Sequence, residues 1–167
     1  MWMGMNVIPN NLNLVRSNQI VEQFQQIESD RAAAILVACH VEQSLKEFIE
    51  LYMVEEPEKA ANKLLNTYNS IHNFSAQIKF AYECGWITND IKKDLNTIRH
   101  IRNEFSHDPD KNDFSQIPGD PRFRDYSQIY DPDNLRSQYL TTASMTVGQM
   151  WNIILPFLRE KEESQSE

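Results

Sequence analysis

Apolar side chains recur along this chain at intervals of three and four residues, a pattern that predicts helices over most of its length. The indicated segments are residues 12–27, 30–53, 57–66, 75–84, 88–107 and 134–161. No stretch shows the sustained alternation of apolar and polar residues that a half-buried strand requires. The sequence therefore predicts an all-α fold, a single-domain bundle of about six helices.

Several helix ends are indicated by local chemistry. Ser29 precedes the most apolar helix and can accept hydrogen bonds as its N-cap, and Ser75 and Thr88 are placed to do the same for two later helices. Gly85 is expected just past a helix end, in the left-handed conformation. Because Gly85 and Thr88 are so close in sequence, the helices on either side should be neighbours in space.

A long loop is expected at residues 108–133, before the last helix, because prolines and aspartates interrupt the pattern there. Its aromatic residues are expected to pin it to the helices. They are Phe114, Phe123, Tyr126 and Tyr130. Pro156 should kink or end the last helix, and residues 1–10 and 162–167 are expected to be flexible ends of a single domain spanning 1–167.

Composition narrows the classes of function. The formal net charge of −8 disfavours a general nucleic-acid surface, which needs clustered Lys and Arg. Neither cysteine belongs to a CxxC pair, and no run of eighteen apolar residues occurs, so we expect a reduced cytoplasmic protein that is neither secreted nor membrane-spanning.

We expect no metal and no cofactor, since the histidines are scattered and no phosphate-binding loop is present. Asp90, Lys92, Lys93 and Asp94 are expected to form an ordinary solvated face.

The helix at residues 88–107 ends in side chains that can do chemistry. Its apolar stripe consists of Ile91, Leu95, Ile98 and Phe105. Arg102 stands in that stripe, where another aliphatic residue would be expected. An unpaired guanidinium in apolar surroundings is costly, so a carboxylate should face it. The candidates are Glu42, within the most apolar helix, and Asp30, at the start of that helix.

Two blocks of the sequence resemble the mannitol operon repressor family. They are DRAAAILVACHVEQSLKEFI and FSAQIKFAYECGWITNDIKKDLNTIRHIRNEFSHD, at residues 30–49 and 74–108. The family has the same blocks as a long apolar helix containing a glutamate, a segment F-S-x-x-I-x-x-A-Y-x-x-G, and a helix ending in R-x-x-x-N/A-H. The resemblance covers most of the chain and implies a transcription-related regulatory protein.

The segment Arg102-Asn103-x-x-x-His107 is separately similar to the R-N-x-x-x-H motif of HEPN domains. These are all-helical proteins that often dimerise, and their active members cut RNA without a metal. In such a reaction His107 would act as general base, Arg102 would stabilise the phosphorane charge, and Asn103 would orient the phosphate. Residues five apart on a straight helix point about 140° apart, so convergence needs fraying near Phe105 or a second copy of the chain.

Two other interpretations of this segment stay open. In the first, Arg102 pairs with Glu42 or Asp30 inside the bundle, and His107 hydrogen-bonds the helix C-terminus, where an imidazolium is favourable. In the second, the helix and the loop at residues 108–133 form a protein-binding surface.

Together, these observations predict a cytoplasmic regulatory protein that acts through an unidentified protein partner or effector. The alternative is a HEPN-type metal-independent endoribonuclease, or an inactive relative, with RNA as the substrate. We expect no specific DNA binding by the protein alone, because neither a recognition helix nor a basic stripe is evident. We also expect a symmetric homodimer that places both segments from Arg102 to His107 near its two-fold axis.

Overall fold

The structure, a computed structural model, describes residues 12–61, 73–117, 123–124, 131 and 133–165. The helices are α1 (Leu12–Phe24), α2 (Asp30–Glu55), α3 (Phe74–Glu83), α4 (Asn89–His107) and α5 (Leu135–Gln165). Residues 57–61 are also helical, and a 3₁₀ helix spans Phe114–Gln116. The described residues include no strand, so the predicted all-α bundle is confirmed.

Two of the predicted N-caps are confirmed. Ser29 Oγ accepts a hydrogen bond from the Ala32 N–H at 3.2 Å, and Thr88 Oγ1 accepts one from the Ile91 N–H at 3.3 Å. Gly85 has φ +74, the left-handed conformation predicted for it. These local interactions start α2 and α4 at the residues that the sequence indicated.

The predicted N-cap of α3 is wrong. Asn73, not Ser75, takes this position, and its Oδ1 accepts a hydrogen bond from the Ala76 N–H at 2.9 Å. The earlier start places Phe74 in the first turn of α3 with its side chain 1% exposed. Burial of that aromatic ring favours starting the helix before it, and Ser75 is left exposed.

The core is formed by apolar faces of all these helices, with α2 at its centre. The largest fully buried side chains include Phe48, Phe74, Phe80, Phe105, Tyr139 and Trp151. α1 packs against α5, where Ser17 Oγ lies 2.7 Å from Ser144 Oγ. Among the described helices, none is both long and apolar enough to cross a membrane.

α5 is longer than predicted. It continues through Pro156 to Gln165, so the proline does not end it. Residues 162–165, expected to belong to a solvated tail, are the last turn of this helix. An ion pair between Lys161 and Glu55 joins this end of α5 to the end of α2. That contact gives the last turn a neighbour, which the polar sequence did not indicate.

The described part of the long loop is pinned by an aromatic residue, as predicted. Phe114 is 4% exposed, and its ring centroid lies 5.2 Å from that of Phe105 and 5.4 Å from that of Tyr139. Phe123 is half-buried against the core. Outside the described residues lie the other two predicted aromatics, Tyr126 and Tyr130.

Candidate functional site

Arg102 extends from α4 towards α2. Its Nη1 lies 3.4 Å from Oε2 of Glu42, and its Nε donates to Oδ1 of Asn103 at 3.3 Å. The guanidinium carbon is 5.8 Å from the centroid of the Phe74 ring, within the range of a cation–π contact. Arg102 therefore has a carboxylate, an amide and an aromatic ring around it.

The Arg102–Glu42 pair is not buried, contrary to what the apolar stripe suggested. Both side chains are 26% exposed, whereas Ile98 and Phe105 on the same helix are 0% exposed. The stripe is narrower than the sequence pattern indicated, and Arg102 lies at its edge. Partly solvated pairs of this kind contribute about 1 kcal/mol or less, because water competes for both charges.

Asp30 is not a partner of Arg102, so this alternative is wrong. Its Oδ1 accepts a hydrogen bond from Nη1 of Arg136 at 2.8 Å, and its Oδ2 accepts one from the Phe114 N–H at 3.2 Å. The reason is distance along the helix. Asp30 begins α2, and Glu42 lies about 18 Å further along its axis.

Arg136 is the cation that pairs with Asp30. In addition to Asp30, this side chain donates to backbone carbonyl groups where α1 ends and the next turn begins. The acceptors are the oxygens of Phe24, Gln25, Ile27 and Glu28. A helix C-terminus leaves such carbonyls without intrahelical partners, so Arg136 caps α1 from the start of α5.

Arg31 fixes the backbone that follows α4. Its Nη1 donates to the carbonyl oxygens of Asp108, Pro109 and Lys111 at 3.1, 3.0 and 3.3 Å. The helix ends at His107, as the sequence predicted, and Asp108 leaves the helical conformation. The backbone next to His107 is therefore tied to the start of α2.

The last turn of α4 also carries an ion pair that the sequence did not indicate. Lys111 Nζ lies 2.5 Å from Oε2 of Glu104 and 3.6 Å from Oδ2 of Asp108. The hydrogen bond from the Lys111 ammonium lowers the pKa of Glu104. Two carboxylates thus neutralise Lys111, and the turn presents no excess positive charge to a phosphate.

His107 does not share a site with Arg102 within one chain. α4 is helical through His107, with no fraying at Phe105. Helical geometry then turns the two side chains about 140° apart. His107 is exposed, whereas Arg102 contacts α2 and the Phe74 ring. Asn103 follows Arg102 and holds it through the hydrogen bond described above.

A buried polar cluster surrounds Asp94, which the sequence had placed on a solvated face. That prediction is wrong, because Asp94 is only 1% exposed. Its Oδ2 accepts hydrogen bonds from Nε of Arg124 at 2.7 Å and from Oγ1 of Thr146 at 3.2 Å. Arg124 also donates to Oε1 of Gln149 at 2.6 Å. The cluster joins the long loop to α4 and α5.

The sequence did contain a signal for Asp94. It follows Ile91 by three residues and precedes Ile98 by four, which places it on the apolar stripe of α4. This position was missed because Asp94 follows the charged residues Asp90, Lys92 and Lys93. Burial raises the pKa of Asp94, and the hydrogen bonds from Arg124 and Thr146 offset part of the rise.

Comparisons with known proteins do not place the chain in a family. Among the described residues, no three His, Cys, Asp or Glu side chains are arranged to hold a metal ion. No protein-family model, no curated protein and no solved structure matches this chain.

Proposed function

We propose that this protein is a cytoplasmic regulatory protein of the mannitol-operon-repressor type that acts through contacts with a protein partner or an effector. The observation that carries the proposal is the contact of Arg102 with Glu42. A guanidinium that already faces a carboxylate, in a partly solvated pair, serves to hold α4 against α2. It is poorly prepared to stabilise the charge of a phosphorane.

The use of the arginines supports a role other than reading DNA. Four of them bond acceptors within the described chain: Arg31 bonds carbonyl oxygens, and Arg102, Arg124 and Arg136 bond carboxylates. Nucleic-acid affinity depends on cations that are free to displace counterions from phosphates. With these four engaged and a net charge of −8, the protein has little positive charge available for a DNA backbone.

A surface suited to a protein partner lies on the solvent-facing side of α2. Leu36 is 46% exposed, and Cys39, one turn further along, is also exposed, so these two side chains form an exposed apolar pair. Glu42, six residues after Leu36, is turned about 120° from it around the helix, which places the ion pair on the flank of this surface. A partner that covers Leu36 and Cys39 removes apolar groups from water.

The proposal includes a homodimer. Arg102, Asn103 and His107 provide polar groups of the kind enriched at interfaces, and a two-fold axis near them would bring two copies of the segment together. Because α4 does not fray, a second copy is also what would allow Arg102 and His107 from different chains to meet. The dimer is therefore compatible with the regulatory role and is required by the alternative.

The alternative is a HEPN-type endoribonuclease. The end of α4 at His107, directly after the R-N-x-x-x-H segment, is the observation that favours it. His107 is exposed, so its imidazole is accessible to a substrate outside the protein. In that case His107→Ala should abolish RNA cleavage.

Complementation of a deletion strain tests the proposal against the alternative. Deleting the gene should change transcript levels, and wild-type protein should restore them. We expect His107→Ala to restore them too, because the regulatory role does not use its imidazole. Leu36→Asp should fail, because a carboxylate at this exposed position would be buried without a counter-charge when the protein partner binds. Circular dichroism should show that both variants fold.

The result that would contradict the proposal is the reverse pattern. If His107→Ala fails, Leu36→Asp complements, and purified wild-type protein cuts RNA in the presence of a chelator, the protein is a ribonuclease. Sequence-dependent nanomolar binding of DNA by the protein alone would contradict the stated mode of action.

A further inference from the structure

The outer face of α2 carries all the exposed side chains of this helix. They are Leu36, Cys39, Gln43, Lys46, Glu50 and Val54. With about 3.6 residues per turn, these positions fall within an arc of about 80° around the helix. The buried residues of α2 lie on the opposite side, against the core. One continuous face of α2 is therefore open to a partner over a length of about 27 Å.

This outer face is nearly symmetric about its own midpoint, which lies between Gln43 and Lys46. Its two ends are apolar, since Leu36 is 46% exposed and Val54 is 68% exposed, and its centre is polar. When two copies of α2 lie antiparallel around this midpoint, Leu36 of one copy comes within about 1.5 Å, along the helix axis, of Val54 of the other. A two-fold contact requires a face that complements itself in this way, whereas a contact with an unrelated protein does not.

The charges beside the outer face also match those of a second copy. Glu42 is 26% exposed, and Lys46 is turned about 40° from it around the helix, towards the same flank. A two-fold axis perpendicular to both helices keeps equivalent flanks on the same side, so Lys46 of the second copy arrives within about 1.5 Å of the height of Glu42. Its contact within its own chain is weak, because Nζ lies 4.0 Å from Oε1 of exposed Glu50. The two Lys46 ammonium groups repel each other, and the carboxylates of Glu42 and Glu50 offset that repulsion.

We infer that the outer face of α2 binds the same face of a second copy of this chain, antiparallel, across a two-fold axis between Gln43 and Lys46. The inference deepens the proposed function and rests on the homodimer included in it. Leu36 is then covered by the end of α2 that carries Val54, which removes apolar groups of both copies from water. The protein partner that covers the exposed apolar pair is thus the second copy.

The same axis passes close to Arg102. Glu42 lies about 4 Å from the midpoint along α2, and its Oε2 is 3.4 Å from Nη1 of Arg102. The two Arg102 side chains therefore flank the interface, in agreement with a dimer that brings the two Arg102 segments near the axis. With Lys46 of the second copy, the Arg102–Glu42 pair becomes a network of three charges, and such networks stabilise more than isolated exposed pairs do.

Sedimentation equilibrium of matched variants tests the interface. Val54→Asp should raise the dimer dissociation constant by about tenfold or more, because each copy then buries a carboxylate against an apolar side chain. Leu36→Asp should do the same, although it changes the other end of the face. The control is Val21→Asp, since Val21 is 39% exposed on α1 and lies outside the face, and it should leave the dissociation constant unchanged. Circular dichroism should show that all three variants fold.

Disulfide cross-linking tests the register. Cys39 of one copy lies opposite Glu50 of the other, and helices packed about 8–10 Å apart bring facing Cα atoms within about 7 Å, the reach of a disulfide. Glu50→Cys should therefore give dimers on a non-reducing gel after treatment with oxidised glutathione, and mass spectrometry should join positions 39 and 50. Wild-type protein should stay monomeric on this gel, because its two Cys39 residues are about 16 Å apart along the axis and Cys84 is buried. Lys93→Cys, at an exposed position on α4, is the control and should not cross-link.

Two results would overturn the inference. One is an unchanged dissociation constant in Val54→Asp, and the other is a cross-link between the two Cys39 residues of wild-type protein, which excludes the antiparallel register. The complementation test separates this inference from the proposed function. If Leu36→Asp fails to complement while Val54→Asp stays dimeric and complements, another protein covers Leu36, and this inference alone is wrong. If both variants are monomers and both complement, the interface stands and the proposed regulatory surface does not.

Discussion

Removal of Arg124 should destabilise the protein, because the buried carboxylate of Asp94 then loses its cation. Arg124→Ala deletes the cation that bonds Asp94 and leaves Thr146 Oγ1 as the remaining donor identified at that carboxylate. Asp94 is 1% exposed with Arg124 in place, so after the substitution its carboxylate is solvated only by water that enters the space left by the guanidinium. The variant should therefore be folded but clearly less stable.

The magnitude follows from the burial of each partner. Breaking a buried ion pair by removing one side costs about 3–5 kcal/mol. Arg124 is 29% exposed, so water already weakens its attraction for Asp94, and we take the lower end, about 3 kcal/mol. In a domain of this size, each kcal/mol lowers the melting temperature by about 2–4 °C, which gives a shift of roughly 6–12 °C.

Urea denaturation at neutral pH, followed by circular dichroism, measures this loss. Lys93→Ala is the matched control, because it removes an exposed cation from α4, and it should change the unfolding free energy by less than about 0.5 kcal/mol. A loss below about 1 kcal/mol in Arg124→Ala would refute the reasoning. It would mean that Asp94 finds water or another cation without disrupting the bundle.

The same cluster predicts a dependence on pH. Burial raises the pKa of Asp94, so the folded protein holds this proton more tightly than the unfolded chain does. The stability that protonated Asp94 contributes is fully present below the pKa of this carboxyl in the unfolded chain. It is lost as the pH rises through the pKa of the same carboxyl in the folded protein. The difference between wild type and Arg124→Ala should shrink as the pH falls through the raised pKa of Asp94, where its carboxylate becomes protonated. A difference that stays constant would show that the charge of Asp94 is not its cause.

Other contacts give further predictions. Arg102→Ala should cost about 1 kcal/mol in urea denaturation, because the pair with Glu42 is partly solvated, and a loss above about 3 kcal/mol would mean a sealed pair. Arg136→Lys should lower stability by about 2 kcal/mol, since an ammonium cannot reproduce the planar fork that reaches several carbonyls, and an unchanged melt would exclude the capping role. Light scattering should find a dimer at micromolar concentration, and Asn103→Arg should disrupt it by placing like charges at the predicted axis; a dimer indifferent to this change would have its interface elsewhere.

Local interactions were predictable from the sequence. Ser29, Thr88 and Gly85 act within one turn of their own positions, so the residue types and their spacing were sufficient. The end of α4 before Pro109 was predictable for the same reason, because the residue preceding a proline is pushed out of the helical conformation. Glu42 was identified because a misplaced arginine needs a carboxylate on the helix that forms the core.

Apart from Glu42, the long-range partners of these arginines were not predictable. Arg124 meets Asp94 across 30 positions of sequence, and it lies in a segment whose prolines give no periodicity to interpret. Arg136 bonds carbonyl groups more than a hundred positions earlier. Every residue has a backbone carbonyl, so the sequence does not indicate which of them an arginine will bond. The same limit applied to Asp30, which was an alternative to Glu42 as the partner of Arg102 because neither Arg136 nor the Phe114 N–H could be foreseen as its own partner.

Arginine side chains make many of these long-range contacts. Arg31, Arg102, Arg124 and Arg136 each join segments that are distant in sequence, and each does so through oxygens of the protein itself. A long side chain with several donors can satisfy helix ends and carboxylates that no local residue reaches. A cation held in this way adds little to the attraction of an external anion. Arg99 follows the same pattern within its own helix, since its Nη2 donates to Oδ1 of Asn96 at 3.4 Å.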